Sequence, residues 1–256
     1  MSADLSKLLE EWPYKPGEIN VRLIQGDDGD PRIQLRVDLG VLQMRTEGRP
    51  DGLRPNGFES LLEYHEARLD EATAEHGSAA SFVLSEDECR ELREEAVQYY
   101  HRYVCLLVLE DFEGVVRDTS RNIRVLDVCA KYAETEGDRT ILEQFRPYIT
   151  MMRARAMASQ ALKDNEPKAA IHAIDQGLDA LRQHFVEVGR SEMFEESSEV
   201  RMLKGMRDAL MPKLPVSQKA ELRQRLARAL AEENYELAAI LRDELKMIGE
   251  PGEAKA

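Results

Sequence analysis

The sequence predicts a mostly α-helical protein with a small N-terminal α+β part, made of a β-hairpin plus helix, then a helical bundle, then a C-terminal helical hairpin. Three observations carry this expectation. Apolar and polar residues alternate between residues 18 and 44, the period of a half-buried strand. From Ser85 to about Met211 apolar residues recur at helical spacing with few interruptions. Between about Ser217 and Ile248, two short amphipathic stretches flank a polar reversal.

The strand pattern comes first. Ile19, Val21 and Leu23 alternate with Glu18, Asn20 and Arg22; the turn residues Gly26 to Pro31 follow, then Ile33, Leu35, Val37 and Leu39 alternate with Gln34, Arg36 and Asp38. Two strands alone are marginal in water, so their apolar face needs a cover. The next helix is expected to supply it, with Asn56 as N-cap, Glu59 three residues on, and Phe58, Leu61, Leu62, His65, Leu69 and Ala72 at helical spacing. Between them lie Arg49-Pro50-Asp51-Gly52 and Arg54-Pro55-Asn56-Gly57. Proline presets φ at the first central position and glycine accepts positive φ, so these read as tandem turns. Arg36, Arg49 and Arg54 with the glycine amides form a candidate anion site; structural turns with solvated arginines are the simpler reading. Likewise, Gln34, Arg36, Asp38 and Gln43 read as a hydrogen-bonded brace on the second sheet face before they read as a polar site.

Ser85 and Glu88 then make a capping box, and helices are expected at about 85–110, 113–135, 139–163, 167–188 and 192–210. Small residues Ala158, Ala161, Ala170 and Gly177, with Ile174, sit where helix pairs approach closely, which makes the bundle TPR-like in its packing, with a plain helical bundle as the alternative. Tyr99, Tyr100, His101 and Tyr103 cluster near Glu110 and Asp111, but histidine and carboxylates at irregular helical offsets read as surface or core residues rather than an acid–base or metal site. The expected division is 1–80 (hairpin 18–44, turn-rich loop 45–57, helix 57–76), 81–212 for the TPR-like domain, and 215–250 for the helical hairpin.

In that last segment Leu222, Leu226, Ala229 and Leu230 form one stripe, and Tyr235, Ala238, Ala239, Leu241, Leu245 and Ile248 another. Asn234 is suited to cap the second helix, and Glu236 lies where the helix dipole favours negative charge. The run Glu233 to Asp243, with its aromatic-Glu-x-Ala-Ala-x-x-Arg-Asp order, resembles the UVR motif found in the excision-repair proteins UvrB and UvrC, and also in ClpC and McsA. The chain from Trp12 through Gln34–Gly40, Gly48–Gly52 and Tyr99–Tyr103 resembles bacterial proteins grouped by that motif. The resemblance implies docking on another UVR hairpin, through Tyr235, Ala238, Ala239, Leu241, Arg242 and Asp243, and Leu226, Glu236 and Leu245 complete the expected contact set.

Composition bounds the function. A net charge of −14 opposes direct nucleic-acid binding, and no cluster of basic residues interleaved with aromatics offsets it. The longest apolar run, Tyr103–Leu109, is too short to span a bilayer, and Met1 to Trp12 lacks a signal-peptide pattern, so the expected location is cytoplasmic. Cys89, Cys105 and Cys129 form no C-x-x-C pair and read as buried apolar residues. No phosphate-binding G-x-x-x-x-G-K-[ST] loop and no cysteine quartet occur. The resulting expectation is a non-enzymatic adaptor without cofactor or metal, whose partner is another UVR-containing protein or a second copy in a homodimer, with no membrane contact. The alternatives are an accessory factor of nucleotide excision repair and a small-ligand or phosphate-binding protein using the N-terminal Arg/Gly loop.

Overall fold

The computed structural model describes residues 4–210, 218–231, 234, 237–238 and 240–242. Two compact units divide the chain, Met1–Leu210 and Met211–Ala256. The fold is mostly α-helical with a small N-terminal antiparallel sheet.

The first unit opens with a short helix α1 (Ser6–Glu11) and a sheet of three strands, β1 (Asn20–Gln25), β2 (Pro31–Val37) and β3 (Gly40–Arg45), paired antiparallel in the order β1-β2-β3. The expected single hairpin is therefore a meander. The alternation that runs to Leu39 is cut after Val37, where Asp38 and Leu39 form a two-residue reversal that leaves Leu39 87% exposed. In register across the strands, Leu23 faces Ile33 and Ile33 faces Met44. Ile33 and Met44 are buried in a core with Tyr103, Cys105 and Leu106, so the sheet is covered by the long helix α3 (Glu86–Val108).

The expected cover, the helix after the turns, goes elsewhere. Both turns form as read, with Gly52 donating to the Arg49 carbonyl at 2.8 Å and Gly57 to that of Arg54 at 3.2 Å. Because Asn56 is consumed in the second turn at φ 50°, helix α2 (Leu61–His76) starts later and is capped by Ser60, whose Oγ accepts from the Glu63 amide at 3.3 Å. Leu62 of α2 is buried in a second core with Leu92 and Ala96 of α3 and with Val125 and Leu126 of α4 (Phe112–Tyr132). The boundary expected near residue 80 thus falls inside the first unit, because both the sheet and α2 share cores with α3.

Helix α3 starts at the expected capping box, Ser85 with Glu88. A short helix α5 (Glu136–Thr140) and a 3₁₀ turn at Glu143–Phe145 precede α6 (Arg146–Lys163). A single helix over 139–163 is excluded by Pro147, which is tolerated only in a first turn and so restarts the helix at Arg146. Helices α7 (Pro167–Glu187) and α8 (Ser198–Leu210) complete the unit, α6 packing on α4, α7 and α8. Ala154, Ala158, Ala170 and Ile174 are buried along the α6–α7 seam, where a Cβ on Gly177 would collide with that of Ala154. No described helix is long and apolar enough to cross a membrane.

Candidate functional site

The candidate anion-binding arginines are separated by the fold. Arg36 is buried, and its guanidinium donates to the carbonyls of Trp12 (2.9 Å), Val37, Asp38 (3.2 Å) and Gly40 (3.2 Å), closing the β2–β3 reversal and tying down the N-terminal segment. Arg49 and Arg54 do meet, on a cavity of about 620 Å³ that Arg32, Arg45, Asp30 and Glu59 also line. The carboxylates there already answer most of its positive charge: Arg32 pairs with Asp28 and Asp30, Arg45 with Asp30, and Arg49 Nε lies 3.2 Å from Asp51 and 3.4 Å from Glu95. On the second sheet face Arg22 donates to Gln34 and Gln34 to Gln43, each at 2.8 Å, so these residues form a cross-strand ladder, with the Arg22 guanidinium 4.1 Å from the Trp12 ring centre.

Beneath the turns lies a buried polar junction that sequence reasoning missed. Arg102 and Asp118, each side chain 1% exposed, form a bidentate pair at 2.6 and 2.8 Å. The remaining Arg102 nitrogen donates to the carbonyls of Gly48 at 2.7 Å and Arg45 at 3.2 Å. Glu95 pairs with Arg121 and accepts from the Leu61 amide at 2.8 Å, placing a negative charge at the start of α2. Tyr99 lies between the two guanidiniums, 4.8 Å from that of Arg102 and 3.9 Å from that of Arg121. Burial, then the charges of Arg124 and Arg49, pull the Arg121 pKa down. The junction fastens loop 45–49 and α2 onto α3 and α4, which is a positioning role. Its signal was present: Glu95 and Arg102 stand seven residues apart within the apolar stripe of α3.

The tyrosine cluster also resolves by direction. Tyr99 joins the polar junction, whereas Tyr100 meets Tyr103 edge-on at 5.5 Å and tilts toward Tyr148 at 6.2 Å. Asp111 caps α4 by accepting from the Gly114 amide at 3.0 Å.

The second unit carries the helical hairpin. Helix α9 (Gln218–Ala231) is followed by helical residues at 237–238 and 240–242. Asn234 serves both ends of the reversal. Its amide donates to the Ala229 carbonyl at 2.8 Å, closing α9, and its Oδ1 accepts from the Leu237 amide at 3.1 Å, capping the second helix as expected. Ala229, Ala238 and Leu241 are buried in one cluster with Leu226 packed against it. Leu226, Ala238 and Leu241 are therefore placed in the seam within the hairpin, and Arg242 on its exposed side. Tyr235, Glu236, Ala239, Asp243 and Leu245 lie outside the described residues. Among the described residues of the hairpin, the outward apolar side chains are Leu230, Leu237 and Ile240 at 51%, 38% and 54% exposure. Leu237 and Ile240 are three apart and share a helix face. Sequence periodicity assigned one stripe to each helix; it could not tell which apolar residues the hairpin consumes in its own closure.

No curated protein and no solved structure matches the chain significantly. The family profile of the UVR motif, described as UvrB/uvrC motif, matches residues 217–250, which span the hairpin. With the Asn234 reversal and the alanine-lined seam in place, the chain is one that carries a UVR motif at residues 217–250.

Proposed function

We propose that this protein is a non-enzymatic adaptor that docks through the outward face of its UVR hairpin onto a second UVR hairpin, on another protein or on a second copy of itself. Motifs of this type generally mediate protein interactions. The observation that carries the reading is the division of apolar residues: Ala229, Ala238 and Leu241 fill the seam, while Leu237 and Ile240 stay exposed side by side. The charges favour antiparallel pairing, since Lys219, Arg223, Arg225 and Arg228 precede the reversal while Glu232, Glu233, Glu236, Asp243 and Glu244 lie in or after it. The helical body α3–α8 then serves as the cargo or scaffold that the hairpin brings to its partner.

The test uses the full chain with Leu237→Glu and Ile240→Glu combined. Both side chains are exposed, so circular dichroism should be unchanged. Burying each is worth about 1.5 kcal/mol or more, so partner affinity should fall roughly a hundredfold. Light scattering over a concentration series, and cross-linking to co-purifying UVR proteins, read the outcome. A wild-type chain that stays monomeric and shares all cross-linked partners with the double variant refutes docking by this face.

A further inference from the structure

We propose that the cavity among α3, α4 and the connection from α5 to α6 binds a small aromatic molecule that carries one hydrogen-bond acceptor, a carboxylate or a carbonyl. This site lies in the helical body and does not depend on the hairpin's role.

The cavity measures about 640 Å³, within the roughly 300–1,000 Å³ usual for small-molecule sites. Its walls are apolar and aromatic, with Leu126, Phe145 and Ile149 among them, and Val97, Ile141 and Phe145 stand exposed at 47–51%. A flat ring buried here would cover side chains that otherwise face water.

The polar groups define the ligand further. Tyr100, Tyr103 and Tyr148 converge on the cavity, and among the described residues none of their hydroxyls has a hydrogen-bond partner. Tyr103 is only 1% exposed, and the little area it keeps includes its hydroxyl, which opens onto the cavity as a donor that a ligand acceptor can reach. Burial also raises the Tyr103 pKa, which keeps the phenol protonated as a donor.

Acceptors, by contrast, are scarce. Asn122 donates to the Ala96 carbonyl at 2.9 Å and accepts from Arg121 at 3.1 Å, while the Gln144 amide donates to Ile141 at 2.8 Å. Among the described residues no carboxylate lines the cavity, although the chain has 49 Asp and Glu residues. Arg93, paired with Asp138, and His101, whose pKa burial lowers, are the basic members among those residues. An anionic or carbonyl acceptor therefore meets donors and no opposing charge.

The experiment titrates the full chain with 2-naphthoate and 2-acetylnaphthalene as acceptor probes, and with 2-ethylnaphthalene as the hydrocarbon control, by calorimetry or ligand fluorescence. Saturable one-to-one binding of both acceptor probes is expected, with the hydrocarbon at least fivefold weaker. Tyr103→Phe keeps the ring and deletes the hydroxyl, so it should cut affinity for the acceptor probes about fivefold and erase their advantage. Val97→Asp, at an exposed position, should weaken 2-naphthoate more than 2-acetylnaphthalene. Thermal melts confirm that both variants remain folded. The proposal is overturned by the absence of saturable binding of either acceptor probe, by equal affinity for the hydrocarbon, by a folded Tyr103→Phe variant with unchanged affinities, or by occupancy with apolar peptides but not with the probes.

Discussion

Arg102 occupies a position that the surrounding pattern assigns to an apolar residue, and its charged side chain is only 1% exposed. Every guanidinium nitrogen is used: two on Asp118 and one on the carbonyls of Gly48 and Arg45. Arg102→Met would fill similar volume but leave the Asp118 carboxylate buried, with only the half-exposed Arg117 at 3.0 Å to answer it. Removing one partner of a buried pair costs about 3–5 kcal/mol, and urea unfolding should show a loss near that range. Adding Asp118→Leu to the same chain should restore most of the stability, since an apolar pair avoids desolvating two charges. Recovery would identify the junction as a fastening for loop 45–49. Glu95 and Arg102 were legible as polar residues on an apolar stripe, but their partners were not. Asp118 and Arg121 lie on the next helix, and helical periodicity carries no information about which residues meet across a helix pair.

Among the helices, what the sequence disclosed best is where they come closest. Of the small residues read as marking close approach, Ala158, Ala170 and Gly177 are buried on α6 and α7, whereas Ala161 is only partly buried. A Cβ on Gly177 would collide with Ala154 Cβ and lie 3.1 Å from Leu203 Cδ1. Gly177→Val should therefore cost about 3 kcal/mol by overpacking, despite removing a glycine from a helix. Gly205 on α8 has open space around its would-be Cβ, so Gly205→Ala should stabilise the protein by about 0.5–1 kcal/mol. Chemical denaturation of both variants checks the contrast, and a neutral Gly177→Val would mean that the seam is looser than described. Element ends were read less well wherever two local signals competed. Asn56 was both a candidate cap and a turn residue, and the turn prevailed, moving the start of α2 to Leu61. Pro147 was a stop signal inside an otherwise periodic stretch, and it split the expected helix. At Asn234 no rival signal existed, and the cap forms where the residue type requires it.

At the scale of the whole molecule, the division that counts lies after Leu210, where α8 ends on a buried leucine. Sequence reasoning placed a further boundary near residue 80, in the break between the expected helix 57–76 and the capping box at Ser85. A break between helices marks a change of element, but a domain boundary requires a change of core. Residues 33 and 44 of the sheet share a core with α3, and α2 shares one with α3 and α4, so α3 fastens the N-terminal part to the helices from both sides. Among the described residues, the members of both of these cores precede Met211, and the hairpin has a small core at Leu226, Ala229, Ala238 and Leu241. A chain ending at Leu210 should therefore unfold cooperatively with a midpoint within about 2 °C of the full chain, because roughly 1 kcal/mol would be needed to move it further at this size. Differential scanning calorimetry of the two chains measures this directly. A drop of 5 °C or more, or loss of cooperativity, would show that the body needs the hairpin for its own stability, and the outward residues Leu237 and Ile240 would then have an intramolecular purpose.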